Sequence, residues 1–209
     1  VSRYQVKGSM KLIHPYTELS FINNEIGYGV VATRLIPAGT ITWVKDKLDQ
    51  TLSPAEYKRM QHVYREILDK YTYIDNYGNY ILCWDHGRYV NHSCDPSCMS
   101  TGYGFELAAR DIYPGEELTD DYGMFNIEYN FECRCGSADC RRIIHQDDLL
   151  KYADKWDALV ADIFPLIREV EQPLWPLLEE KREVEMSLSK KTPIPSCRLL
   201  YYAPDMALR

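Results

Sequence analysis

At 209 residues, with 45% hydrophobic and 12% aromatic content, the chain has material for one good core of ordinary domain size plus an appendage, which excludes a disordered polypeptide. The 24 basic residues against 31 acidic ones leave a formal charge of −7, the wrong sign for a general grip on nucleic-acid phosphates and a better match for a basic partner. No apolar run approaches the roughly 20 residues of a membrane helix and no basic-then-apolar leader opens the sequence, so the expected setting is soluble, intracellular and reducing.

Gly8-Ser9-Met10 reads as a fusion junction ahead of a start at Met10, with an ordinary N-terminal coil as the equal alternative, and residues 1–15 are set apart as an N-terminal segment. Tyr16 to Ile22 and Val30 to Arg34 read as strands around "EIGYG", where Gly27 and Gly29 permit a tight backbone. Ala32, Arg34, Ile36 and Gly39 recur as Ala108, Arg110, Ile112 and Gly115 at the same offsets, a weak sign of two similar strand-and-turn units. "SPAE" at Ser53 to Glu56 combines an N-cap serine, a first-turn proline and a glutamate three residues on, so a helix begins there. Tyr57, Met60, Val63, Tyr64, Ile67 and Leu68 continue it at helical spacing, predicting one half-buried helix over about 53–70 with its aromatic stripe in the core. From Ile143 the pattern turns helical: Leu149, Leu150, Tyr152, Ala153, Trp156, Leu159, Val160 and Ile163 form an apolar face that stops near Pro165. A helical extension over 143–186 is expected, with a second helix near Glu179 to Glu185, a linker from Ser187 to Pro195, and a mobile tail over 187–209.

Seven cysteines cannot all pair, and three of them fall within eight residues as Cys133-x-Cys135-x4-Cys140. Cys133 and Cys135 are too close for an easy mutual disulfide, whereas thiolates aimed at one cation suit this spacing. A closed structural zinc site takes four ligands, so a fourth must come from elsewhere, and Cys94 and Cys98 of "NHSCDPSC" are the candidates. Cys83 and Cys197 are expected to be spectators.

Four motifs in order, "GYG", "RYVNHSCDPSC", "GEELTDDYG" and "CRCGSADCRR", resemble the series of SET-domain protein-lysine methyltransferases, the last resembling their post-SET zinc segment. The resemblance covers roughly Tyr16 to Arg142 and implies a mainly β, α+β fold of small sheets with a pseudoknot. In it the SET domain runs over 16–123 around the helical insert, and the zinc segment over 124–142. Asn91 to Cys94 would thread beneath a loop and meet Glu117 to Tyr122. By the same resemblance S-adenosyl-L-methionine is the cofactor, contacted by Gly27, Tyr28, Gly29, Asn91, His92 and Tyr122, and one structural zinc is held by Cys94, Cys133, Cys135 and Cys140, with Cys98 in reserve. Tyr122 matches the catalytic tyrosine.

An asparagine amide donates and accepts at once, so Asn91 suits a zwitterionic amino-acid group; a turn asparagine, a core His92 and a core Tyr122 with a bonded hydroxyl are the competing readings. Tyr73 or Tyr71 is expected to wall the lysine channel, since an aromatic wall fits an alkyl stem with a cationic tip. Asp120 departs from the family, which carries phenylalanine or tyrosine two residues before the catalytic tyrosine, in a position linked to methyl multiplicity. The reading is lysine methylation of a basic protein or peptide such as a histone, in a nucleus if eukaryotic or a cytoplasm if bacterial, with no direct nucleic-acid or membrane binding. The alternative is a catalytically impaired relative serving as a zinc-stapled peptide-binding module.

Overall fold

A computed structural model describes residues 13–203; the junction read at Gly8–Met10 lies outside them. The chain opens on an antiparallel hairpin, β1 (Thr17–Asn23) and β2 (Gly27–Ala32), turned at Gly27 with φ 88°. The second strand starts three residues earlier than the apolar pattern indicates, because Gly27-Tyr28-Gly29 is itself ladder: Gly29 pairs with Ser20 and Tyr28 with Phe21.

The recurrence at Ala32 and Ala108 is structural. Ile36 and Ile112 exchange both backbone hydrogen bonds, each at 2.9 Å. Gly39 N–H donates to Ala108 O at 2.8 Å, and Gly115 N–H donates to Ala32 O at 2.7 Å. The two units thus bind each other reciprocally, each glycine taking positive φ (80° and 86°) to aim its N–H at the other unit.

Next come β3 (Ile41–Val44) and β4 (Gln50–Leu52), followed by the insert. Its capping box forms as the sequence predicts, but the helix is broken: α1 (Pro54–Arg59) ends at an extended Met60, and α2 (His62–Tyr71) begins anew. The aromatic stripe is not core. Val63, Tyr64 and Ile67 are about half exposed, and Leu68 is the buried residue of α2. The reason is the partner: the insert sits on the narrow sheet of β4, β5 (Thr72–Ile74) and β6 (Tyr80–Leu82), which has room to cover one side of a helix only. Tyr57 stacks on Tyr80 at 4.1 Å and donates its hydroxyl to Asp69, drawing α1 and α2 together.

β7 (Asn91–His92), β8 (Cys98–Ser100), β9 (Phe105–Ala108) and β10 (Glu117–Asp120) complete two central sheets, ordered β1-β2-β10-β7 and β3-β9-β8. β7 lies parallel to β10, Asn91 beside Thr119 and His92 beside Asp120. The two motif segments expected to meet therefore do. β11 (Phe131–Glu132) and β12 (Ile143–Ile144) form a small ribbon that brackets the cysteine-rich segment.

α3 (Asp148–Ile163) buries Leu149, Ala153, Trp156, Val160 and Ile163, spaced three or four apart, while Leu150 and Leu159 stay on its outer side. That face packs on Ile41, Val44, Phe105 and Leu107 of the central sheet. After α4 (Lys181–Leu188) the chain remains docked rather than trailing as a mobile tail: Cys197 is 1% exposed in the same core, and Leu200 and Tyr201 pack against it. The apolar residues of the last stretch are too few for a helical period but each fills a gap beside α3. The fold is α+β and mainly strand before residue 145.

Candidate functional site

A cavity of about 860 Å³ runs between the insert, the central sheets and the C-terminal segment. Asp120 closes β10 and Tyr122 opens the single 3-10 turn that follows it (Tyr122–Met124), and both side chains line the cavity. The Tyr122 hydroxyl donates to Val90 O at 2.7 Å, and the Tyr122 N–H donates to His92 Nδ1 at 3.1 Å. Burial, followed by the charges of Asp120 and Glu117, pushes the phenol well above its usual range, so it is a hydrogen-bond donor and not a base.

Tyr73 and Tyr71 both reach the cavity, in different company. Tyr73 stands in an aromatic wall with Trp43 (6.4 Å, perpendicular) and Phe125 (5.8 Å), and Phe125 also contacts Tyr122. Tyr71 turns instead to Tyr89, at 5.2 Å, with Lys70 over its ring. Burial raises the Tyr73 phenol strongly, with Cys83 and Asp49 adding to it.

Asn91 ties β7 to the hairpin, Nδ2 donating to Tyr28 O at 3.1 Å and to Glu117 Oε1 at 2.6 Å, and like Gly27, Tyr28, Gly29 and His92 it lies outside the lining of this cavity, next to Val90, which lines it. Its amide oxygen has no partner among the described residues, leaving one acceptor free. Glycine at 29 is dictated by this contact, because a Cβ there would lie 2.3 Å from Glu117 Oε1 and 2.9 Å from Asn91 Nδ2.

Cys94, Cys133, Cys135 and Cys140 converge. Donor atoms of His92, Cys94, Cys133 and Cys135 lie within 4.8 Å of one another, and the Cys140 thiol is beside both Cys133 and Cys135. Cys94 Sγ is 3.7 Å from Cys133 Sγ. A tetrahedral shell with sulfur about 2.3 Å from the metal has edges of about 3.8 Å. Backbone N–H groups also point at the sulfurs: Cys94 N to Cys135 (3.4 Å), Arg141 N to Cys94 (3.5 Å) and Arg142 N to Cys140 (3.4 Å). Such donors favour thiolate over thiol. His92 Nδ1 lies 3.1 Å from the Tyr122 N–H and 3.2 Å from Asp120 O, while Nε2 stands 3.5 Å from Cys94 Sγ, so the ring bridges the end of β10 and the thiol cluster. Cys98 does not reach this cluster: it is core, beside Ser97 and Thr42. Cys83 and Cys197 are buried elsewhere.

Three features escaped the sequence. Arg141 bonds Asp121, lies 3.7 Å from Asp148 of α3, and stacks over Tyr152 and Trp156, so the cysteine segment is clamped to the extension. Asn126 donates to Ile74 O, Asp75 O and Leu200 O and accepts from Tyr202 N, which makes the C-terminal segment part of the cavity wall. Glu106 of β9 is 8% exposed and faces Asp120, 5% exposed, carboxyl to carboxyl. Burial, then the neighbouring Glu106 charge, raises Asp120 strongly, so Asp120 carries a proton and donates it to Glu106. Burial pushes Glu106 up to about 7, against the Asp120 bond and a second from Ser100 Oγ at 3.3 Å. Asp120 Oδ1 meets no donor. A single acid in an apolar strand carries no sequence signal of this meeting; only its placement in "FELA" was unusual.

The description "SET domain" matches residues 27–123. Among relatives, the chain is 29% identical over 135 residues to a Drosophila melanogaster "Histone-lysine N-methyltransferase Set2", covering 58% of this chain and 6% of that protein. It is 33% identical over 133 residues to a Plasmodium falciparum "Variant-silencing SET domain-containing protein", covering 54% and 5%. It is 32% identical over 144 residues to a Caenorhabditis briggsae "Probable histone-lysine N-methyltransferase set-23", covering 59% of this chain and 58% of that one. A solved methyltransferase domain of human "Histone-lysine N-methyltransferase SETMAR" aligns at TM-score 0.46 and 21% identity, over 63% of this chain and 58% of that one.

Proposed function

Residues 27–123 are a SET domain, and on that premise we propose that the chain transfers a methyl group from S-adenosylmethionine to the side-chain amine of a lysine in a basic protein segment, a histone tail being the first substrate to test. The observation that carries this reading is the Tyr122 hydroxyl, fixed by Val90 O at the meeting of two surfaces. On one side is the His92 ring, 5.4 Å from that of Tyr122, with Asn91 the residue before it in β7; on the other is the aromatic wall of Tyr73, Trp43 and Phe125.

S-adenosylmethionine supplies an electrophilic methyl on a sulfonium. Asn91 would receive its amino-acid ammonium on the free amide oxygen, with the Gly27-Tyr28-Gly29 backbone and His92 beside it. Tyr122 would orient the transferring methyl, and Tyr73 would hold the lysine stem against an apolar face. Asp69, Asp75, Glu128 and Glu180 outnumber Lys45, Lys70 and Arg88 around the remaining lining, which suits a basic segment. The four thiols Cys94, Cys133, Cys135 and Cys140 would hold one zinc that fixes the end of β7, and therefore Asn91 and His92, to the cysteine segment.

A second reading, a peptide-binding module without turnover, is favoured by one feature, the carboxyl of Asp120 in the channel. Transfer of labelled methyl to core histones, alongside calorimetry of S-adenosylmethionine, separates the two. Transfer that Tyr122→Phe removes supports the enzyme; tight cofactor binding with no transfer to any histone supports the module. Zinc content tests the metal set: Cys140→Ser should lose the ion and His92→Ala should keep it, and the reverse result would replace Cys140 by His92.

A further inference from the structure

Two buried carboxyls in contact, with no lysine or arginine paired to either among the described residues, form an unusual floor for an apolar cavity. The contact needs a proton, and Asp120 provides it. What remains is one negative charge on Glu106, a shared proton, and Asp120 Oδ1 with no donor in a residue 95% removed from solvent. Both residues line the same cavity as Tyr122 and Tyr73, and the charge of Glu106 bears on both phenols. Purely structural carboxyl pairs are costly to bury, since each unmet acceptor loses its hydration without replacement. A donor entering from the cavity would relieve that.

We propose that Glu106 and Asp120 are the subsite for the substrate's ammonium group and take one proton from it before methyl transfer. The inference rests on the methyltransferase reading above and adds the step that reading lacks. A lysine ammonium brings three N–H donors to a site with unmet acceptors. One N–H bond breaks and an O–H bond forms on the pair, which becomes a neutral diacid. The nitrogen lone pair so released attacks the sulfonium methyl; a C–N bond forms, and the C–S electrons remain on sulfur as a thioether. The product leaves as a secondary ammonium, and the pair returns its proton to water through the open cavity. No electron is gained or lost overall.

The same burial that makes the pair a poor anion makes it a better base than a solvent carboxylate, which narrows the gap to the amine. The groups facing it act in that direction. Asp85 from the loop after β6 and Asp121 after β10 add negative charge, while Cys83, Cys98, Tyr73 and Tyr122 are neutral and supply no cation. The two carboxyls titrate as a unit.

The test uses the full chain labelled with carboxyl-13C aspartate and glutamate. Two resonances should titrate well above the remaining carboxyls, one lost in Glu106→Gln and the other in Asp120→Asn. n-Butylamine, a lysine side-chain probe, should shift both saturably, and butyltrimethylammonium, equally charged but without N–H, should shift them at least tenfold more weakly. Carboxyls that titrate with the rest, or equal responses to the two probes, overturn the subsite. For the proton step, methyl transfer to core histones should rise with pH through the pair's raised titration and then level off. In Glu106→Gln the loss should be largest at low pH and shrink about tenfold per unit as the amine deprotonates on its own; a loss that is the same at every pH overturns the step. Wild-type protein that transfers no methyl to any core histone defeats the methyltransferase reading and the proton step with it, while the resonance titration still decides the subsite.

Discussion

The thiol cluster and the carboxyl pair are both gatherings of acids, and they differ in what surrounds them. Around Cys94, Cys135 and Cys140, backbone N–H groups of residues 94, 141 and 142 point at the sulfurs, and the Arg141 guanidinium stands close by. Around Glu106 and Asp120 there is one serine hydroxyl, and the nearest charges, Asp85 and Asp121, are negative. Donors favour the deprotonated state, and their scarcity with burial favours the protonated one. The contrast is sharpest at Cys135, which the N–H and thiol donors bring down to about 7 against burial, whereas burial raises Cys94 and Cys133 and prevails at the carboxyl pair, which holds a proton. The comparison also separates assembly: three of the thiols come from one eight-residue stretch, whereas the carboxyls come from two different sheets.

The largest break should come from removing a thiol. Cys133→Ser is expected to lower zinc from one ion per chain to almost none by elemental analysis. The cost should spread to S-adenosylmethionine affinity, because apparent zinc binding of about 10–16 kcal/mol is also folding energy for such a segment. Full zinc content in the variant would break the thiolate side of the comparison.

Tyr122→Phe should lower methyl-transfer turnover by roughly 10²-fold while calorimetric cofactor affinity changes less than about threefold, since it deletes a hydroxyl and keeps the ring. Equal turnover in the two proteins would remove Tyr122 from the reaction.

Glu106→Gln should stabilise the protein, which sharpens the contrast, because removing a thiol does the opposite. The folded value of Glu106 is raised from 4.5 to about 7, so the wild type loses stability as pH climbs through that window. The variant's advantage should be absent below pH 4.5, grow up to pH 7, and level off at roughly 1–3 kcal/mol. Denaturant midpoints at pH 4, 6 and 8 would read it, and an advantage that does not depend on pH would mean that the carboxyl is not held protonated.

Asp120→Phe should change rate least at high pH, where the amine is neutral without help. It restores the residue type common in the family but removes one carboxyl of the pair, so on a single-lysine peptide it should lose rate at low pH as Glu106→Gln does, remain active at high pH, and there shift the balance among mono-, di- and trimethyl-lysine seen by mass spectrometry. An identical product profile at comparable rates would show that residue 120 does not shape the channel.

Much of the site was legible because its motifs are local. "NHSC" and "ELTDDY" name their residues by order alone, and Cys133-x-Cys135-x4-Cys140 clusters whatever the rest of the chain does. The capping box at Ser53 and the buried face of α3 were likewise readable, since both depend on residues within a turn or two of each other. By contrast, the fate of Val63, Tyr64 and Ile67 was not, because an apolar stripe states that a partner is wanted and not how wide that partner is. The last stretch was misread for a related reason: Cys197 and Leu200 fill gaps one at a time, without the period that marks a helix.

By itself the sequence determined the SET-domain match of residues 27–123, the thiols that gather, and the tyrosine two residues after β10. Only the tertiary structure decided that Glu106 meets Asp120, that Asn126 holds Leu200 in the cavity wall and accepts from Tyr202 N, and that Arg141 fastens the cysteine segment to α3. The physical reason is range. Spacing along the chain fixes contacts made within a strand, a turn or a helix, whereas the charge state of a buried carboxyl depends on which distant groups share its low-dielectric surroundings, and that is settled only when the sheets pack.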